Sequence, residues 1–273
     1  MSHPIVERLR SRDPDERRAA CRDAISDPAA TLLVDALGEA LGDPEKAVAR
    51  AASEALARLA REVDNVEEVV HRALRSNDAS RRWHAVLVSS RIEPPSPRLL
   101  PPTVEGLASE ESNVRWTAAR LLVEAGRVNP EVLPLVIGLV RGGESARVRC
   151  MAVYCLRELA PELPESAVAL LDATRDSEIL VRRAALTALA GLTDPTPDVF
   201  DRLSEVMEEP GDARSRRISA HALGALGAVS GARLSQTSLR TLRGIAATES
   251  DRALQAAARR ALNRVDPERP DGN

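Results

Sequence analysis

The residues able to do chemistry in this 273-residue chain are few and scattered. Four histidines, His3, His71, His84 and His221, lie far apart, and none has the partners or spacing of a zinc site. Cys150 and Cys155 are five residues apart and diverge on a helix, and Cys21 stands alone. Such an odd, sparse set fits a reducing cytosol better than a disulfide framework. Nothing beside Cys150 would activate it as a thiolate. There is no phosphate-binding glycine loop and no Gly-x-Ser-x-Gly elbow, and "LVRGGES" is a turn with two glycines. The expectation is therefore no catalytic residue, no metal and no cofactor.

What remains is the chemistry of recognition. The chain holds only two Trp, one Tyr and one Phe. Trp83 sits in "SRRWHAVLVSS" and Trp116 in "NVRWTAARLL", 33 residues later. Trp, Tyr and Arg are the residue types that dominate binding energy at interfaces.

That interval belongs to the elements that must hold the tryptophans. "VRWTAARLL" from Val114, "VRCMAVYCL" from Val148 and "VRRAALTAL" from Val181 share a frame. An aliphatic residue leads, Arg follows, Ala comes four on and Leu eight on. Less perfect copies start at Arg17, Val48, Arg81, Ser215 and Leu254, with spacings of 31, 33, 33, 34, 33, 34 and 39. Turns carrying Asp43, Asp78, Ser112, Asp176, Asp212 and Asp251 precede them and offer N-caps. Before each turn lies another apolar-periodic stretch, such as "EVLPLVIGLV" or "DVFDRLSEVM". Each unit reads as helix, tight turn, helix, and needs stacked neighbours to bury its apolar face.

The pattern resembles HEAT and HEAT-like repeats, the α-solenoid units of scaffold and adaptor proteins that also occur in bilin lyases. The resemblance rests on the D-x-x-x-V-R-x-x-A-x-x-x-L form of second helix, clearest from Asp176 to Leu189, and covers nearly the whole chain. It implies an all-α fold, a right-handed solenoid of about eight two-helix repeats, curved with the second helices on the concave side. It also implies a ladder between repeats, in which Arg115, Arg149 and Arg182 and the turn residue Asp176 take part. Repeat two departs by shifting its arginine to Arg50, and repeats one, three and seven lack the leading aliphatic residue. One domain is expected over residues 1–265, with a polar, Pro-rich, flexible tail over 266–273. "EPPSPRLLPP", residues 93–102, reads as a rigid connector, and Pro134 as a kink in a first helix.

Counting from the leading position and turning about 100° per residue, positions 0, 4, 7, 8 and 11 form the core stripe. Position 2 points away from it, and Trp83 and Trp116 both occupy it. Positions 6 and 9 share that side and hold Leu87, Arg120, Val123, Tyr154 and Arg157. Phe200 is assigned to the core. The second-helix face is rich in arginine, and the first helices carry acids such as Glu67, Asp172 and Glu205. Arginines next to the leading position are assigned to the ladder, which leaves Arg120, Arg157, Arg183 and Arg217 free.

Composition sets the class. Apolar residues make up 44% of the chain and aromatics 1%, so the core is built from Ala, Leu and Val packed between close helices. The net charge of −3 gives no overall pull toward nucleic acid. All basic residues but Lys46 are arginine, as in a GC-rich genome. The longest apolar run, Val132 to Val140, is too short to span a bilayer, and no secretory signal opens the chain.

The sequence reads as a non-catalytic scaffold or adaptor in a bacterial or archaeal cytoplasm, monomeric on balance. Its groove of Trp83, Trp116, Leu87, Val123 and Tyr154 would bind an acidic, partly apolar peptide or helix. Arg120, Arg157, Arg183 and Arg217 would steer that partner. Three alternatives carry less. Nucleic-acid binding would use stacking aromatics with arginine. A resemblance to HEAT-like DNA glycosylases implies a carboxylate near a Trp, and none stands where this face needs it. A bilin-lyase-like enzyme or chaperone would need a chromophore site that no residue here marks.

Overall fold

The computed structural model describes residues 3–229 and 234–265, so the expected tail at 266–273 lies outside them. Sixteen α-helices and a few short 3-10 turns make up the described residues, with no strand among them. The helices run as eight hairpins. The first three are α1 (Pro4–Leu9) with α2 (Pro14–Asp23), α3 (Val34–Ala40) with α4 (Lys46–Leu59), and α5 (Val66–Ala73) with α6 (Ala79–Ile92). Next come α7 (Leu100–Leu107) with α8 (Ser112–Gly126), and α9 (Val132–Gly142) with α10 (Ala146–Leu159). The last three are α11 (Pro164–Ala173) with α12 (Ile179–Leu189), α13 (Pro197–Glu208) with α14 (Ala213–Val229), and α15 (Gln236–Thr248) with α16 (Arg252–Val265). Every second helix begins two or three residues ahead of the position marked by the sequence period.

The chain divides into two compact units, Met1–Ala125 and Gly126–Asn273. In the first, α2, α4 and α6 pack side by side as one layer, and α1, α3 and α5 form the other. In the second, α10, α12, α14 and α16 form one layer, and α9, α11, α13 and α15 the other. Within each unit the hairpins thus bury their apolar sides against one another, which no hairpin could do alone. The largest fully buried side chains are leucines, with Met207 the one exception, and Phe200 is the one aromatic residue in the core.

Local signals explain the helix starts. Asp78 accepts hydrogen bonds from the Ser80 and Arg81 N–H groups, and Ser145 from that of Val148. Proline opens α1, α2, α11 and α13, where its missing N–H costs nothing. Two expected caps are displaced. Asp43 and Asp176 sit two residues before the true N-caps, Glu45 and Glu178, and accept their N–H groups at 2.9 and 2.8 Å. Ser112 lies inside α8 instead of before it.

Pro134 falls in the first turn of α9, where the N–H would be unpaired anyway, so it does not kink the helix. The segment 93–102 is only partly a connector: Pro97–Leu99 form a 3-10 turn that runs into α7, which takes up Pro101 and Pro102. No described helix is long and apolar enough to cross a membrane.

Candidate protein-binding surface

The two tryptophans share a wheel position and differ in what they meet. Trp83, on α6, is half-buried and packs against the core of the first unit. Its ring lies over α7 at Gly106. A Cβ there would come within 2.9 Å of the indole Cζ3 and 2.9 Å of the Ala118 Cβ. Only glycine permits that approach, so Trp83 is seated in the fold. Trp116, on α8, keeps 51% of its surface exposed. One turn on, Arg120 is exposed and sits 3.9 Å from Glu124, a loose pair in water. Leu87 is half-buried.

Val123 is a correction. It is 5% exposed and belongs to the core, not to an outward patch. A helical wheel allows for one buried side, whereas a helix inside a layered stack meets neighbours on several.

In the second unit, Tyr154 on α10 is half-buried, with the Arg157 guanidinium stacked 5.3 Å from its ring centre. Arg157 also grips the neighbouring Glu158 at 2.6 Å, so it is engaged, not free. Arg183 and Arg217 are further corrections. Arg183 forks onto Asp212 at 2.7 and 3.1 Å, and Arg217 reaches Asp251 at 3.2 Å. Both join one second helix to the turn of the next hairpin.

The expected ladder has a different membership from the expected one. Arg149 does fork onto Asp176 at 2.7 and 2.9 Å, and it also donates to the Gly143 carbonyl of its own turn at 2.9 Å. Arg115 staples its own turn through the Ser109 and Glu110 carbonyls, and Arg182 does so through those of Asp176 and Ser177. In that repeat the rung passes to Arg183. Further rungs are Arg17 to Asp43, Arg82 to Glu105 and Arg216 to Glu249. The sequence frame assigns Arg82 and Arg216 to the ladder, but it misses Arg17, which leads its repeat instead of following, and the acceptor Glu105, which lies in a first helix.

The rungs set the charge state of their acids. Hydrogen bonding from Arg149, against the cost of burial, holds the Asp176 carboxyl below the usual carboxylate range. At Asp43, burial pushes upward, but bonds from Arg17 and the Glu45 N–H win and hold it low. Asp212 is held lowest, by Arg183 against burial, with Ser215 also donating. Burial and the nearby Asp176 push the Cys150 thiol upward, away from thiolate character. Burial likewise lowers the His84 pKa and favours the neutral ring. Among the described residues, no three His, Cys, Asp or Glu side chains come together as metal ligands would.

One feature escaped the sequence reading. Arg214, Arg217 and His221 on α14 face Arg260 and Arg264 on α16 across a cleft. Both rows are helical spacings in the sequence, but their meeting across a cleft depends on which helices stand side by side.

Hairpins of this length, stacked in two layers and tied by arginine rungs, match one family model. The description "HEAT repeats" fits residues 100–190 and 167–263, more than half of the chain. This chain belongs to the HEAT-repeat family. Solved HEAT-repeat structures share its fold. Importin beta is 16% identical over 96% of this chain and 40% of its own length, with a TM-score of 0.62. Kap121p bound to Nup53p is 14% identical over 96% of this chain and 33% of its own, with a TM-score of 0.65. Kap95p, in a structure concerned with its binding to RanGDP, is 14% identical over 98% and 41%, with a TM-score of 0.64. The chain therefore spans between a third and two fifths of the length of these relatives, and the likeness is one of fold. A comparison with the curated proteins finds no match.

Proposed function

We propose that this HEAT-repeat chain is a non-catalytic protein-interaction module whose second-helix face receives an acidic, partly apolar partner segment. The observation that carries this reading is Trp116. In a chain with 1% aromatics, an indole with 51% of its surface exposed stands one turn from the exposed Arg120. An exposed large apolar side chain beside a cation is the form that interface anchors take. Leu87 borders the same second-helix side in the first unit. Trp83 contributes to the fold more than to the contact, because Gly106 seats it. Two of the similar structures concern binding to another protein, Nup53p for Kap121p and RanGDP for Kap95p, and this supports the class of activity.

Affinity capture from a nuclease-treated lysate, comparing wild type with Trp116→Ala, tests the reading. A protein retained by wild type and lost by Trp116→Ala is the expected result. Capture of the same proteins by both would sink the assignment of this face.

A further inference from the structure

The last two second helices enclose a cleft of about 370 Å³. Arg214, Arg217 and His221 recur along α14 at steps of three and four, so they share one side of that helix. Arg260 and Arg264 form the opposite wall on α16. The floor is apolar, made by Ile218, Ala257 and Ala261. The spacing of the walls is set by backbone contact: a Cβ on Gly224 would lie 2.7 Å from the Ala261 Cα, so α14 and α16 meet at van der Waals distance there.

The charge of this cleft is one-sided. Among the described residues no carboxylate lines it, and only Arg217 of its four arginines has a carboxylate partner, Asp251 at 3.2 Å. A larger cleft, in the first unit, sets Arg58, Arg61 and Arg91 against Glu54 and Glu62 and is nearly balanced. Four guanidiniums gathered in a chain of net charge −3 repel one another unless an anion is present. From Arg214 to His221 the row runs about 10 Å along the helix, longer than one small anion needs.

We propose that the α14–α16 cleft is a subsite for an acidic segment of a partner protein. At least two of its carboxylates pair with the arginine walls, and one apolar side chain rests on Ile218, Ala257 and Ala261. Guanidinium forks match carboxylates bidentately. Nucleic acid fits less well, because Trp83, Trp116, Tyr154 and Phe200 are all absent from the lining, which leaves a base only the His221 ring to stack on. The choice of a protein ligand rests on the function proposed above, while the cleft residues are independent of Trp116.

The test is fluorescence anisotropy on the full chain at low salt, with a labelled peptide of alternating Asp and Leu and, separately, a labelled oligothymidylate. Arg260→Glu/Arg264→Glu is expected to weaken peptide binding about tenfold or more, because it reverses one wall. Arg240→Glu/Arg243→Glu makes the same charge change on the exposed side of α15 and is expected to cost less than about threefold. Arg260→Gln/Arg264→Gln, which removes charge without reversal, keeps the test valid if the first variant fails to fold by circular dichroism. Equal losses in the two reversed variants would reduce the effect to a diffuse field and overturn the subsite. So would absence of peptide binding, or tight binding of oligothymidylate alone. Trp116→Ala leaves peptide binding unchanged if the cleft is a separate site. Failure of the lysate experiment with a positive peptide result then removes the Trp116 face and spares the cleft, and the reverse pattern does the opposite.

Discussion

Trp83 and Trp116 occupy the same position of adjacent repeats, yet one is packed against the core and the other keeps 51% of its surface exposed. The difference comes from the first helix opposite, not from the tryptophans. Gly106 opens a seat on α7 that a Cβ would close, and Trp83 takes it. The same lesson holds for the arginines. Arg149 is spent on Asp176 and its own turn, whereas Arg120 has only a loose neighbour. A residue's wheel position says which way it leaves its helix, and the neighbouring element decides what it finds there.

The contrast can be broken most sharply by truncation. Trp83→Ala is expected to cost about 2–4 kcal/mol of stability, since it empties a seat lined by core residues. Trp116→Ala is expected to cost less than about 1 kcal/mol. Urea midpoints measure both, and equal losses would show that the two rings are alike. A smaller effect is expected from the other side of the contact. Gly106→Ala overpacks the seat and costs about 1–3 kcal/mol. In a Trp116→Phe background it also shifts the Trp83 emission to the red, as the ring is lifted toward water. An unshifted spectrum would mean that Gly106 does not hold the ring.

Among the arginines, Arg149→Ala is expected to lose about 1.5 kcal/mol through its charged hydrogen bonds. Arg120→Ala should stay within about 0.5 kcal/mol. The smallest effect is one of pH. The folded-state pKa of Asp176 lies below its unfolded value, so its contribution is fully present above about pH 4. It is lost as pH falls through the folded value, when the native carboxylate must also take a proton. Acid titration of stability should therefore be shallower for Asp176→Asn than for wild type below that pH, and an unchanged slope would show that the rung does not titrate with unfolding.

The repeat was legible because it is written in the chain. Val114, Val148 and Val181 lead matched frames, and period alone marks where the second helices fall. The site was legible only in part. Position 2 picked out Trp116 correctly as exposed, but it could not tell Trp83 from it, because the deciding residue is a glycine in another helix. Val123 was misplaced because its burial depends on packing outside its own helix. Arg183 and Arg217 looked unattached because their acids, Asp212 and Asp251, lie 29 and 34 residues away and resembled simple caps. The α14–α16 cleft needed two helices brought side by side before its charge could be seen.

The turn acids have a consequence for how such a chain changes its length. Asp176 and Asp212 each close the start of their own second helix and receive an arginine from the hairpin before. They are alike as receivers, although Arg149 directly follows its leading valine and Arg183 sits one residue further on. Excising one hairpin between them would still leave a turn acid, Asp212, as the next receiver along the chain. A whole hairpin is thus the natural unit by which to lengthen or shorten such a stack, because a splice inside one would part an arginine from its turn.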